Sequence, residues 1–433
     1  MNIYLLLELV IIIFIISMLV TRDIFSPACI MCESYILAVV CAIWNIEKWD
    51  IALHNNTVFV IVMGLVVFCF ISCIINYGYN KNRKYLKQEE IKPDFIKYDK
   101  RIILLLLGAQ ALCLLIYFYF FIKSLGDLSR YESFNYMMRY FKLFIGLDGI
   151  PTVVNQLIKV SKAITYVFCY IFIHNMIVSK KLNEKKREYY LLLSIPLFAL
   201  ITLFTGGRFE IMILILAMLI MWYIVSIIYN NHKALSLKTI FKIIVILVIA
   251  IVLFSFLRTI VGRKNTTSVI DYFTEYFGCS IQALDIYLQE GTNHVTDGRG
   301  ELFADVLKLL EKFKVIDSRP NNSQLASFVE SNGILIGNVY TGFRKIVHDF
   351  GIFGVGLFSG VMSIILTIYY EKLKNMKTIN IVALSVIFYA AISFTLFLHS
   401  YSEFFFSVII SFNYMMFFIL LYIVKLIVQK VKF

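Results

Sequence analysis

Apolar residues along this chain fall into long unbroken runs, not into an alternation of inward and outward positions. A helix that crosses the roughly 30 Å hydrocarbon core of a bilayer needs about 20 such residues. Seven runs are of that order: 57–77, 102–122, 209–229, 239–257, 350–370, 379–398 and 404–424. Four more are interrupted. Run 3–20 contains Glu8, 27–46 contains Glu33, 153–178 contains Lys159, Lys162 and His174, and 189–204 is short and holds Pro196. Backbone polar groups in lipid are satisfied only within helices or closed barrels. The pattern therefore predicts an all-α polytopic membrane protein of about 11 transmembrane helices, a single bundle over 1–433. Arg22 and Asp23 follow the first run without a small-residue cleavage site, so that run reads as a retained span.

Composition agrees with the pattern. Hydrophobic residues make up 60% of the 433 and charged residues 16%, against about 25% charged in soluble domains. The net charge of +13 would suit a nucleic-acid partner if it formed one basic patch. Instead lysine and arginine collect in short segments between runs: 78–101, 179–188, 230–242, 371–378 and the C-terminal tail. With eleven spans all five segments fall on one side, which the positive-inside rule makes the cytoplasm. The C-terminus is then cytoplasmic.

The outer side comprises 47–56, 124–152, the turn 205–208, the loop 258–349 and the turn 399–403. Of twelve arginines, eight are external (Arg130, Arg139, Arg208, Arg258, Arg263, Arg299, Arg319 and Arg344), whereas nineteen of twenty-nine lysines are in the cytoplasmic segments. Lysine alone satisfies the topology rule. Arginine is the better partner for phosphate and carboxylate because its planar fork makes paired, directional hydrogen bonds. External arginines thus point to an anionic substrate on that face. The long loop balances ten basic residues against eleven acidic ones, which fits a folded subdomain with placed sites and excludes a general polyanion binder. Within it, 301–314 has apolar residues at helical spacing and is expected to be an amphipathic helix on the bundle or the membrane surface.

Candidate chemistry lies at loop-to-span junctions. Thr205-Gly206-Gly207-Arg208 sets an arginine at a helix N-terminus, where an anion held by the guanidinium and free N–H groups is favoured. Arg344 and His348 stand four apart and share a helical face, with Asp349 beside them at the start of run 350–370. Arg258 and Arg263 leave run 239–257 together, and Arg299 sits in a glycine-rich turn, Asp297–Glu301. Glu403, in the turn 399–403, reads first as a helix cap. Seven of eight cysteines lie in or beside apolar runs, with Cys279 the exception. No second pair or nearby histidine joins Cys29 and Cys32 in a metal site. No Asp-x-Asp, HExxH, Walker or Gly-x-Ser-x-Gly motif occurs, so neither metal nor cofactor is expected.

The Gly-Gly-Arg turn entering an apolar helix, the long loop after it, and Asp349-Phe350-Gly351-x-x-Gly354 at the next span together resemble the Wzy-type O-antigen and capsule repeat-unit polymerases of bacteria. The resemblance covers roughly 200–370. It implies a metal-independent enzyme of the bacterial cytoplasmic membrane, similar to C-type glycosyltransferases and active on the external face. Its substrate would be an oligosaccharide on undecaprenyl diphosphate, and other polysaccharide-assembly proteins would be candidate partners beside membrane lipid. It carries the turn arginine onto Arg208, for the substrate diphosphate, and the pre-helix end of the long loop onto Arg344, His348 and Asp349, as catalytic residues. Arg258, Arg263 and Arg299 are the further diphosphate candidates, with stop charges after a span the other reading of Arg258 and Arg263 and plain turn chemistry that of Arg299. An O-antigen ligase would use the same arginines with another acceptor. A lipid-linked oligosaccharide flippase is the alternative from another class, for which internal repeats and a polar midplane are expected and neither is visible.

Overall fold

The computed structural model describes residues 2–85, 92–184, 188–230, 236–260, 268–290, 300–316, 328–376 and 381–430. In chain order the helices are α1 (Asn2–Thr21), α2 (Pro27–Trp44), α3 (Ile46–Trp49), α4 (Asn55–Tyr85), α5 (Lys100–Leu125), α6 (Phe134–Tyr140), α7 (Thr152–Leu182), α8 (Ser194–Phe204), α9 (Phe209–Tyr229), α10 (Leu237–Ile260), α11 (Val269–Gln289), α12 (Ala304–Lys312), α13 (Phe343–Lys374), α14 (Leu384–Phe397) and α15 (Phe412–Lys430). A two-stranded antiparallel hairpin, β1 (Val329–Ser331) and β2 (Ile334–Gly337), is the one sheet among the described residues. Nine helices among those residues are long and apolar enough to cross a membrane, and the shorter apolar helices Tyr189–Phe204 and Leu384–Phe397 stand where runs 189–204 and 379–398 were expected. The chain is an all-α multi-pass membrane protein.

Helix ends follow local chemistry. Ser26 caps α2 by accepting from the Cys29 amide at 3.3 Å, with Pro27 as first helical residue, and Asp99 caps α5 through the Arg101 amide at 2.8 Å. Two compact units result. One comprises residues 1–89, 270–373 and 392–415, the other 90–269, 374–391 and 416–433.

In the first unit α4 and α13 run parallel and are joined by polar rungs one turn apart. Ser363 Oγ donates to the Phe68 carbonyl (2.7 Å), Thr367 Oγ1 to Ser72 Oγ (3.0 Å), and Asn76 Nδ2 to Glu371 Oε1 (2.8 Å). In a low-dielectric bundle such satisfied pairs fix register. α13 differs from the expected span, because it begins at Phe343 and breaks at Gly351, whose φ of 66° and ψ of −171° only glycine adopts without strain. The short helix 343–350 starts deep. The Phe343 ring stacks on Tyr35, nine residues into α2 (centroids 5.5 Å apart), and lies where a side chain on Gly64, ten residues into α4, would stand.

The turn after α14 meets that start. Gly342 N donates to the His399 carbonyl (2.7 Å), Tyr35 Oη shares a hydrogen bond with His399 Nδ1 (3.0 Å), and Ser34 Oγ donates to Ser400 Oγ (2.8 Å). α11 lies within the stretch read from the sequence as loop. It packs so closely on α2 that a Cβ on Gly278 would lie 2.6 Å from the backbone of Cys41 and Ala42. The amphipathic helix expected over 301–314 is shorter, Ala304–Lys312, because the amides of Glu301 and Leu302 are taken by a side chain from elsewhere.

The second unit gathers α5, α7, α8 and α9. Gln110, fully buried on α5, donates through Nε2 to Ser161 Oγ (2.9 Å), Thr165 Oγ1 (3.0 Å) and the Ser194 carbonyl (2.9 Å). Gly206, at φ 69°, turns the chain from α8 to α9 and lies so close to Lys142 that a Cβ would meet its stem at 2.7 Å.

Candidate functional site

Two clusters contain the residues singled out from the sequence, one in each unit. In the first, Arg344 and His348 project from one face of helix 343–350, as their spacing requires. Arg344 is buried, ion-paired to Glu301, and its guanidinium lies 5.1 Å from the rings of both Tyr287 and Tyr340. The aromatic faces and the carboxylate compensate the cation for lost water. Arg344 Nε is nevertheless buried without a hydrogen-bond partner among the described residues.

His348 Nδ1 shares a hydrogen bond with Tyr287 Oη at 3.0 Å, while its Nε2 is buried and unpaired among the described residues. Both vacant N groups belong to one helical face, and unpaired polar atoms cost free energy unless something meets them. Asp349 is fully buried. Its oxygens accept from the amides of Glu301 (3.1 Å) and Leu302 (2.7 Å), which pins the loop end beneath α13. Lys345 donates to Ser407 Oγ (3.2 Å), and Glu403 caps residues 406 and 407 through their amides (2.7 and 2.9 Å), the capping role expected for it. Burial raises the Glu403 carboxyl, and it pushes the His399 imidazole down to about 3.

In the second unit Arg208 is the N-cap residue of α9, as the turn predicts. Its buried guanidinium donates to the Phe254 carbonyl on α10 (2.9 Å) and lies over the Phe254 ring (4.2 Å). Arg258, one turn further along α10, is buried too. Three lysines complete the surroundings. Lys142 donates to the Gly206 carbonyl (2.9 Å), Lys162 pairs with Glu210 (2.7 Å) and stands 4.8 Å from the Phe417 ring, and Lys159 holds Gln156 (2.7 Å) one turn from Lys162. From the sequence Lys159 and Lys162 were only interruptions of a weak span. Their neighbourhood with residues 206–210 shows only once α7 packs on α9. Arg263 and Arg299 lie outside the described residues.

Among the described residues no group of three or more His, Cys, Asp or Glu could hold a metal ion. Cys279, the polar-stretch exception, is buried in α11, and burial pushes its thiol up to about 12, which makes it inert. Comparison with protein-family models, curated proteins and solved structures finds no match.

Proposed function

We propose that this chain is a polymerase that joins undecaprenyl-diphosphate-linked oligosaccharide repeat units at the outer face of the bacterial cytoplasmic membrane. The observation that supports it most is the cationic cluster around the 205–208 turn. Lys142 bonds Gly206 and Lys162 pairs with Glu210, Lys159 lies one turn from Lys162, and Arg208 bonds the Phe254 carbonyl one turn before the buried Arg258. Charge distribution in the short loops puts this end of α7, α9 and α10 outside. A cluster so rich in fixed cations is suited to a diphosphate.

In this reading the acceptor hydroxyl oxygen bonds to the anomeric carbon of the growing chain. The bond from that carbon to the lipid diphosphate breaks, and its electron pair remains on the diphosphate oxygen. Fixed guanidinium groups meet the charge that develops there, each such donor being worth about 10²–10³ in rate. Arg344 and the open nitrogen of His348 are assigned to saccharide recognition, and Asp349 to holding the loop that contains Glu301.

The test is gel analysis of surface glycan after Arg208→Ala, with membrane levels of the protein measured in parallel. Collapse of the ladder to single repeat units at normal protein level is the expected result. An unchanged ladder removes the cluster from the reaction and the reading with it. Normal chain length with loss of attachment to the final carrier indicates a ligase, and absence of even single units outside indicates a flippase.

A further inference from the structure

An imidazole–carboxylate pair is present in the first unit, on residues 231 positions apart. Asp285, on α11, is buried with its side chain 3% exposed. One oxygen accepts from the His54 amide (2.9 Å) and from Thr57 Oγ1 (2.5 Å), and the other accepts from His54 Nδ1 at 2.9 Å. Both neighbours of His54 are held as well, because Asn2 Nδ2 donates to the Leu53 carbonyl (2.8 Å) and to the Asn55 side-chain Oδ1 (3.0 Å).

Capping of α4 by Asp285 accounts for two of the three bonds. It does not account for the third. A carboxylate on Nδ1–H fixes the tautomer in which Nε2 has a free lone pair, and the His54 side chain is 54% exposed. A buried carboxylate holding Nδ1 of a half-exposed imidazole is the arrangement of an oriented general base.

We propose that His54 is the general base of the transfer and Asp285 its positioning residue. This rests on the polymerase reading, and on the short-loop charges that put 47–56 on the outer side of the membrane. The substrate class is a sugar hydroxyl. As its oxygen attacks the anomeric carbon, its proton passes to His54 Nε2 and from there to water, while the electron pair of the broken bond leaves on the diphosphate. Asp285 stabilises the imidazolium formed and takes no proton itself.

The experiment measures polymerisation in membrane vesicles loaded with the cell's own lipid-linked repeat unit, for wild type, His54→Gln, Asp285→Asn and Arg208→Ala. His54→Gln is expected to lower the maximal rate by about 10²-fold or more, within the usual range for a lost general base, with KM little changed. Asp285→Asn is expected to lower the rate less. Its loss should fall on the maximal rate with KM little changed, and Asp285→Glu, which keeps a carboxylate for Nδ1, should restore part of the rate.

A wild-type rate for His54→Gln while Arg208→Ala is silent overturns the dyad and leaves the polymerase reading standing. Wild-type rates in all three variants overturn that reading itself. Should the variants accumulate poorly, carbethoxylation of wild-type vesicles gives an independent readout. Rate loss that tracks modification of His54 supports the assignment, and full activity with His54 modified refutes it.

Discussion

Replacing Gly278 with alanine tests whether α11, which the sequence presents as loop, is part of the packed interior. A methyl group there would lie 2.6 Å from Ala42 N and from the Cys41 carbonyl carbon. Ordinary contact between such atoms needs about 3.5–4.0 Å. The deficit of roughly 1 Å can be met only by moving one helix backbone off another, since the obstructing atoms belong to no side chain. Overpacking of this kind costs about 1–3 kcal/mol, and a rigid backbone neighbour puts the value at the upper end. Alanine returns about 1 kcal/mol through its better helix propensity. The net loss is therefore about 1–2 kcal/mol, a fall of about 1–2 °C in melting temperature for a chain of this size. The assay is thermal unfolding in detergent, followed by size-exclusion recovery. Gly356→Ala is the control, because a Cβ at that α13 position meets nothing within 4 Å, and it should be neutral or stabilising. A Gly278→Ala protein as stable as that control would show that α11 does not contact α2 as described.

Three further outcomes are expected. Arg344→Met strands a partly buried Glu301 carboxylate and should destabilise by about 2–3 kcal/mol, below the full value for a buried pair, most of it recovered in the Arg344→Met/Glu301→Met double variant; equal loss in single and double variants would show that the pair does not form. Asp349→Ala removes the acceptor of two loop amides and should make the segment around residue 301 the first site of limited proteolysis, which peptide mapping reads directly. His399 is held below its ordinary value near 6.5, so it contributes stability above that pH which is lost as pH falls towards 3. Glu403, held above its ordinary value, has the opposite sense, favouring the fold at low pH and less so as pH rises. His399→Asn should therefore flatten the decline in melting temperature between about pH 6.5 and pH 4, and an unchanged slope would assign that decline to other groups.

Much of this architecture is visible in the chain, for reasons that differ by element. Long apolar runs are legible because lipid leaves the backbone no alternative to a helix, and helical structure stands at each of the eleven places read that way. The shared face of Arg344 and His348 was legible because it depends on four-residue spacing alone. α11 was not, since its buried stretch Gly278-Cys279-Ser280 with Gln282 and Asp285 is small and polar where a span would be apolar. The start of α13 at Phe343 was hidden because Asp349-Phe350-Gly351 looks like a helix beginning, yet the aspartate turns to amides 47 and 48 residues earlier. The pairing of His54 with Asp285 is invisible for the same reason. Each residue is unremarkable beside its sequence neighbours, and only tertiary packing brings them together.

The deep start of helix 343–350 has a consequence for how the chain is made. A helix N-terminus has amide donors that its own turn cannot satisfy, and here one of the acceptors, the His399 carbonyl, belongs to a residue synthesised 57 positions after the Gly342 donor it receives. Until the turn after α14 emerges from the ribosome, that donor, the Phe343 ring and Tyr35 lack the groups that enclose them in the finished protein. Insertion of the early spans can proceed in order, but this part of the first unit has to wait for the end of translation. A chain released before residue 399 would thus present an open polar seam between α2 and α4, the kind of lesion by which membrane quality control tells unfinished proteins from complete ones.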